Sequence, residues 1–148
     1  MIKYEVTVDD DGTQEWRLNG EKHREDGPAV THVDGTEVWY LNGNIHREDG
    51  PAVEYPNGTE SWYLNGKIHR TDGPAYIGAD GFKSWWLNGK VHREDGPAII
   101  RADGYKAWYL KGVKVTEADV MGHTITVDGK KVSISKESYE ALKESIND

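Results

Sequence analysis

Tryptophan recurs at Trp16, Trp39, Trp62, Trp85 and Trp108, every 23 residues and without a slip. A period that strict excludes most folds, because each unit must build the same structure and bury its apolar side against its neighbours. Every unit opens on a turn pair: Asp11-Gly12, Asp34-Gly35, Asn57-Gly58, Asp80-Gly81 and Asp103-Gly104. Leu follows Trp by two residues, at Leu18, Leu41, Leu64, Leu87 and Leu110, and then comes Asn-Gly, or Lys111-Gly112 in the fifth unit. Four units continue with His-Arg-x-Asp-Gly-Pro-Ala, as in His46-Arg47-Glu48-Asp49-Gly50-Pro51-Ala52. The fifth reads Val115-Thr116-Glu117-Ala118-Asp119 at that place and leaves the pattern.

Each unit is written in hairpin chemistry. Asn-Gly between short aromatic and branched runs favours a type I′ turn, which needs positive φ at both central residues. Thr59–Leu64 alternates, so Glu60, Trp62 and Leu64 share one face while Ser61 and Tyr63 take the other. The return strand begins at Lys67 and meets Asp72-Gly73-Pro74, where a residue without an N–H must bend or break the ladder. Two strands per unit are predicted, the second kinked, with each unit advancing the array by ~10 Å. The predicted fold is all-β: an elongated, solenoid-like sheet of stacked hairpins, with five units over 11–115. Residues 1–10 supply a capping strand. Residues 116–148 supply one more hairpin around Asp128-Gly129, over Thr124–Val127 and Lys130–Ile134. A helix then follows, N-capped by Ser135, with Glu137 in its first turn and Tyr139, Leu142 and Ile146 as its apolar stripe. That tail is read as a cap for the last rung, with a partner-binding helix as the alternative.

Composition narrows the function. The 18 Lys and Arg against 26 Asp and Glu give a net charge of −8, and no segment is net basic, which disfavours nucleic acid as a ligand. The charge is also too sparse for the protein to imitate duplex DNA, which carries about one charge per 1.7 Å of axis. No apolar run approaches the ~20 residues of a membrane span, and Met1–Glu5 lacks a signal-peptide core. There are no cysteines, hence no disulfide frame, thiolate nucleophile or cysteine zinc site. A soluble, cytoplasmic protein without a cofactor is expected.

The His-Arg-x-Asp blocks are the first chemical candidate. Equivalent histidines His23, His46, His69 and His92 would stand ~10 Å apart, too far to share one ion. Within one unit His plus Asp is only two ligands, beside a repelling Arg. Repetition at every rung argues for a structural role, with Asp closing the Asp-Gly-Pro turn and Arg pairing with a neighbouring carboxylate. The likeness to a kinase catalytic loop fails, since the glycine-rich loop and Asp-Phe-Gly are missing. No metal, cofactor or catalytic residue is assigned. The Trp and Leu ladder reads as the apolar spine. The opposite face carries Arg17, Tyr40, Tyr63, Trp86 and Tyr109, an aromatic row suited to a protein interface unless the return strands cover it. Positions that vary between units, among them Ile77, Ile99, Ile100 and Arg101, make the later units more apolar. A partner surface is therefore expected over units three to five, anchored on Tyr63, Tyr76, Trp86 and Tyr109, with Tyr40 of unit two and Ile100 and Arg101 as further contact residues. The alternative is a small-ligand or anion site using Arg24, Arg47, Arg70 and Arg93 with turn amides.

The tandem Trp-x-Leu-Asn-Gly-x-x-His-Arg-x-Asp-Gly-Pro-Ala units resemble the variant MORN repeats of bacterial and phage proteins. The resemblance covers about two-thirds of the chain, and residues 124–148 lie outside it. It departs in the extended His-Arg-x-Asp-Gly-Pro-Ala block, so the lipid-binding role sometimes proposed for MORN proteins is not carried over. It implies a non-enzymatic binding scaffold of stacked hairpins. A phage-type inhibitor of a bacterial host enzyme or defence complex, acting in the host cytoplasm, is its specific version, and an antitoxin-like inhibitor the neighbouring one.

Overall fold

The Asp-Gly pairs close each hairpin of one long sheet. His32 and Thr36 bracket the second such turn: the His32 N–H donates to the Thr36 carbonyl and the Gly35 N–H to the His32 carbonyl, both at 2.9 Å. Gly35 sits at φ 91°, a type I turn closed by a left-handed glycine. The Asp34 carboxylate accepts the Thr36 N–H at 2.8 Å and locks the turn. Asp11, Asn57, Asp80 and Asp103 do the same in the other units. In the computed structural model, which describes residues 2–147, these hairpins join into a 12-stranded antiparallel sheet whose strands follow one another in chain order without a crossover. Met1 and Asp148, the outermost residues of the two predicted terminal segments, lie outside the described residues.

The second hairpin of each unit is built as predicted. Asn42 at φ 48° and Gly43 at φ 78° make a type I′ turn, and the other Asn-Gly pairs repeat it, with Lys111 at φ 50° in the fifth unit. Of the two strands expected per unit, with only the second kinked, the first is corrected: it breaks as well. The chain breaks at Trp39, Trp62 and Trp85, and the pieces beyond them form separate two-stranded ribbons such as Tyr40–Leu41 with Asn44–Ile45. Trp39 is where the pairing partner changes: its N–H donates to Ala52 at 2.7 Å, and its carbonyl accepts from His46 at 3.0 Å. Only at the ends does a strand run through its Trp, over Gln14–Leu18 and Lys106–Leu110.

Cross-strand register assigns the two faces. One row runs Val30, Val38, Val53, Ser61, Tyr76, Ser84, Ile99 and Ala107. The first three valines are buried and are covered by Tyr40, Ile45 and Tyr63 from the ribbons. The row on the opposite face runs Thr31, Glu37, Glu54, Glu60, Ile77, Lys83, Ile100 and Lys106. The expectation that the Trp ladder forms the spine is also corrected. The Trp rings are half-buried, and the deepest residues are Ala29, Ala52, Ala75 and Ala98, all at 0% exposure. A thin sheet leaves its large rings at the boundary and gives its interior to the small residues between strands.

The junctions between units reveal what the His-Arg pair does. The Asn65 N–H donates to His46 Nδ1 at 2.9 Å, across a separation of 19 residues. The same bond ties Asn42 to His23, Asn88 to His69 and Lys111 to His92. Beside it, the Gly66 N–H reaches the Ile45 carbonyl at 2.9 Å, and the Arg47 N–H reaches the Tyr63 carbonyl at 3.1 Å. Each His therefore holds the turn of the following unit. Because Nδ1 accepts from an amide, the ring proton sits on Nε2. There it faces Glu25, Glu48 or Glu94 at 3.7, 3.6 and 3.2 Å.

The N-terminal strand Glu5–Val8 pairs with Gln14–Leu18 as expected, and Tyr4 packs edge-on to Trp16 at 5.5 Å. At the other end the hairpin His123–Val127 with Lys130–Ile134 forms, but as its own two-stranded sheet. A helix not foreseen from the sequence, α1 (Glu117–Met121), intervenes. Thr116 and Asp119 close a reciprocal capping box on it, and it packs against Lys106–Leu110. The predicted last helix, α2 (Lys136–Asn147), is capped by Ser135 Oγ, which accepts the Ser138 N–H at 3.1 Å, and it touches α1. His123 stacks on Tyr139 at 3.7 Å, tying the hairpin to α2. Among the described residues no helix is long and apolar enough to cross a membrane.

Candidate functional site

On the face that carries the valines, the aromatic row is half-buried. Tyr40 and Tyr63 lie on the valine cluster and belong partly to the core. Burial, with a smaller contribution from Tyr55, raises the Tyr63 hydroxyl above the ordinary tyrosine value. Beyond Val53 the row shrinks to Ser61 and Ser84, both buried, and the surface sinks. There Ile68, Tyr76, Phe82, Ser84, Trp86 and Ile99, with Asp80 at the rim, line an open depression of ≈ 340 Å³. The Trp86 Nε1–H donates to Ser84 Oγ at 2.8 Å, which fixes the indole as one wall. Tyr76 and Phe82 meet edge to face at 5.8 Å and form the other.

The structure divides the sequence-derived site residues. Tyr40, Tyr63, Tyr76, Trp86 and Tyr109 share this face. Ile100 does not: it stands opposite Lys83 and Lys106 in the row on the Trp face. Arg101 lies at an exposed turn, paired with Asp103 at 2.9 Å and placed over the Tyr105 ring at 5.4 Å. Alternation separates Ile100 from its neighbour Ile99, and only the register reveals which of the two joins Trp86. Phe82 and Ile68 were not on the sequence-derived list. The signal for Phe82 was present: Thr13, Thr36 and Thr59 occupy its place in the earlier units.

The Trp face holds three clefts between successive Asp-Gly-Pro loops, of ≈ 380, ≈ 650 and ≈ 680 Å³. Each is walled by the Trp, Leu and His of the following unit and by Arg and Asp from both. Each arginine is held on two sides, through Nε and Nη1. Arg47 lies 3.9 Å from the Trp39 ring centre, with Nε donating to Asp49 at 3.0 Å and Nη1 to the Pro51 carbonyl at 3.1 Å. Arg24, Arg70 and Arg93 repeat this on Trp16, Trp62 and Trp85. The expectation that Asp closes its own turn is thus corrected, since the carboxylate serves the Arg two residues before it. Hydrogen bonds and charge from Arg24, Arg70 and Arg93 hold Asp26, Asp72 and Asp95 below the usual carboxylate range. The loop glycines serve the same packing, because a Cβ on Gly50 would lie 3.0 Å from Arg47 Cζ. Among the described residues no group of three His, Asp or Glu could hold a metal ion. No protein-family model and no curated protein matches the chain.

Proposed function

We propose that this chain is a non-enzymatic repeat scaffold that binds a protein partner through its aromatic face, centred on Tyr76, Phe82 and Trp86. The observation that carries the reading is the open apolar depression beside Trp86. It occurs where the repeat turns more aromatic, with Phe82 in a place that holds threonine in units one to three and Tyr105 in unit five, and Trp86 in a place that holds tyrosine in units two, three and five. Positions that only build the scaffold have no reason to change, and a large aromatic pair around a shallow apolar floor suits an anchor side chain from a partner. The chemistry-bearing His, Arg and Asp residues recur in four of the five units and serve packing there, which favours binding over catalysis. The anion-site reading is weakened for the same reason, since it keeps only the guanidinium N–H groups not bonded to Asp and the Pro carbonyl. The repeat resemblance makes the partner a bacterial host enzyme or defence complex, inhibited in phage fashion, with an antitoxin-like target as the neighbouring version.

A photo-crosslinking amino acid at Ile68, on the lining of the depression, compared with one at Lys83 on the opposite face, tests the reading in bacterial lysate. One dominant protein joined from position 68 and absent from position 83 is the expected outcome. Phe82→Ala with Trp86→Ala should abolish its capture while the melting temperature stays within a few degrees. A double variant that unfolds would make the aromatic row structural and remove the proposed site.

A further inference from the structure

The two ends of the sheet differ. At the C-terminal end α1 packs against Lys106–Leu110. At the N-terminal end Glu5–Val8 is paired along one edge only, and no described strand lies on the other. That strand has no proline, no bulge and no lysine within it, and Glu5 is its one charged residue. Val6 is 45% and Val8 66% exposed. The direction of its free backbone groups follows from the hairpin. The Asp9 N–H is bonded inward to the Thr13 carbonyl. By alternation Thr7 and Glu5 also bond inward, while Tyr4, Val6 and Val8 turn their N–H and C=O outward.

We propose that this edge is a self-association surface, on which two copies pair antiparallel about a two-fold axis at Val6. An isologous edge pair must set outward-facing residues opposite one another, so only every second register is open. Charge selects among these. Centring on Glu5 places Glu5 against Glu5 of the second copy, and centring on Thr7 places Glu5 against Asp9; both set like charges directly opposite. Centring on Tyr4 sets Lys3 against Glu5 but leaves the exposed Val8 without a partner. Centring on Val6 sets Val6 against Val6, Tyr4 against Val8, Glu5 against Thr7, and Lys3 against Asp9 twice over. It satisfies the whole outward edge, covers both exposed valines and matches opposite charges. The two sheets become one, and the depression beside Trp86 stays open on each copy.

Sedimentation of the full chain over a concentration series tests this. The expected result is a reversible shift from 16.7 kDa to twice that mass. Lys3→Asp or Asp9→Lys alone should weaken association about tenfold. The two changes together should restore it, because the pairs re-form with reversed sign. Val6→Pro, which removes the central N–H, should leave a monomer with its melting transition retained. If that variant unfolds the capping strand, the charge-reversal pair decides. A monomer throughout the concentration range, or a dimer indifferent to both charge changes, overturns the proposal.

Discussion

The His46 junction and the end of the fifth unit begin alike and finish differently. In both, a type I′ turn leads into a short return strand. At the first, His46 and Arg47 reach across to the turn and strand of the next unit. At the second, Val115 and Thr116 stand in their place, and Thr116 caps α1 instead. The His-Arg pair is thus a fitting for the unit that follows, and it disappears where no further unit follows. Its repetition, which looks like a row of sites, is the repetition of a joint.

The largest break in that comparison is His46→Phe. It removes the acceptor for the Asn65 N–H at an internal junction and should cost about 1–2 kcal/mol, read from chemical denaturation. His46→Asn, whose side-chain oxygen can still accept, should recover part of it. Val115→His at the end of the array should move stability by less than ~0.5 kcal/mol, since no turn awaits it. A similar loss at both places would mean that the histidine acts only within its own unit.

Gly50→Ala comes next. The added methyl meets the guanidinium that lies on Trp39, and a loss of about 1–2 kcal/mol with altered Trp fluorescence is expected. Ser135→Ala sharpens the contrast from the other side. It should remove about 1 kcal/mol from α2 while hydrogen exchange in the repeated sheet stays unchanged. The smallest effect per residue is acid sensitivity. Asp26, Asp72 and Asp95 titrate below their ordinary value of 3.8, so their contribution is complete above that value and fades as pH falls through the lower folded values. Denaturation midpoints should therefore owe no pH dependence to these groups between pH 7 and 5 and fall below about pH 4. Replacing all three with Asn should flatten that acid limb.

Much of the fold was legible because it depends on rules local to a few residues. Asn-Gly and Asp-Gly set their turns wherever they stand, and alternation set the two faces of Thr59–Leu64. Ser135 and the Tyr139, Leu142, Ile146 stripe announced α2. The short helix α1 was hidden, because its five residues bury none of their side chains and carry no apolar stripe, which leaves the capping pair Thr116 and Asp119 as its sole local signal. The candidate site was half legible. Trp86 and Tyr76 could be named, whereas Ile68 arrives from the ribbon of the preceding unit and Ile100 departs to the other face.

The sequence by itself determined the period, the turn types, the hairpins and the end of the array, since backbone dihedral preferences and side-chain alternation need no distant partner. Only the tertiary structure decided what the conserved-looking chemistry within each repeat is for. Whether His46 binds a ligand or a neighbouring turn depends on what stacking brings to its Nδ1, and that partner lies 19 residues away. Whether Arg47 is free or engaged depends on the Trp39 ring beneath it. Hydrogen bonds and stacked rings are short-ranged, so their assignment waits on packing.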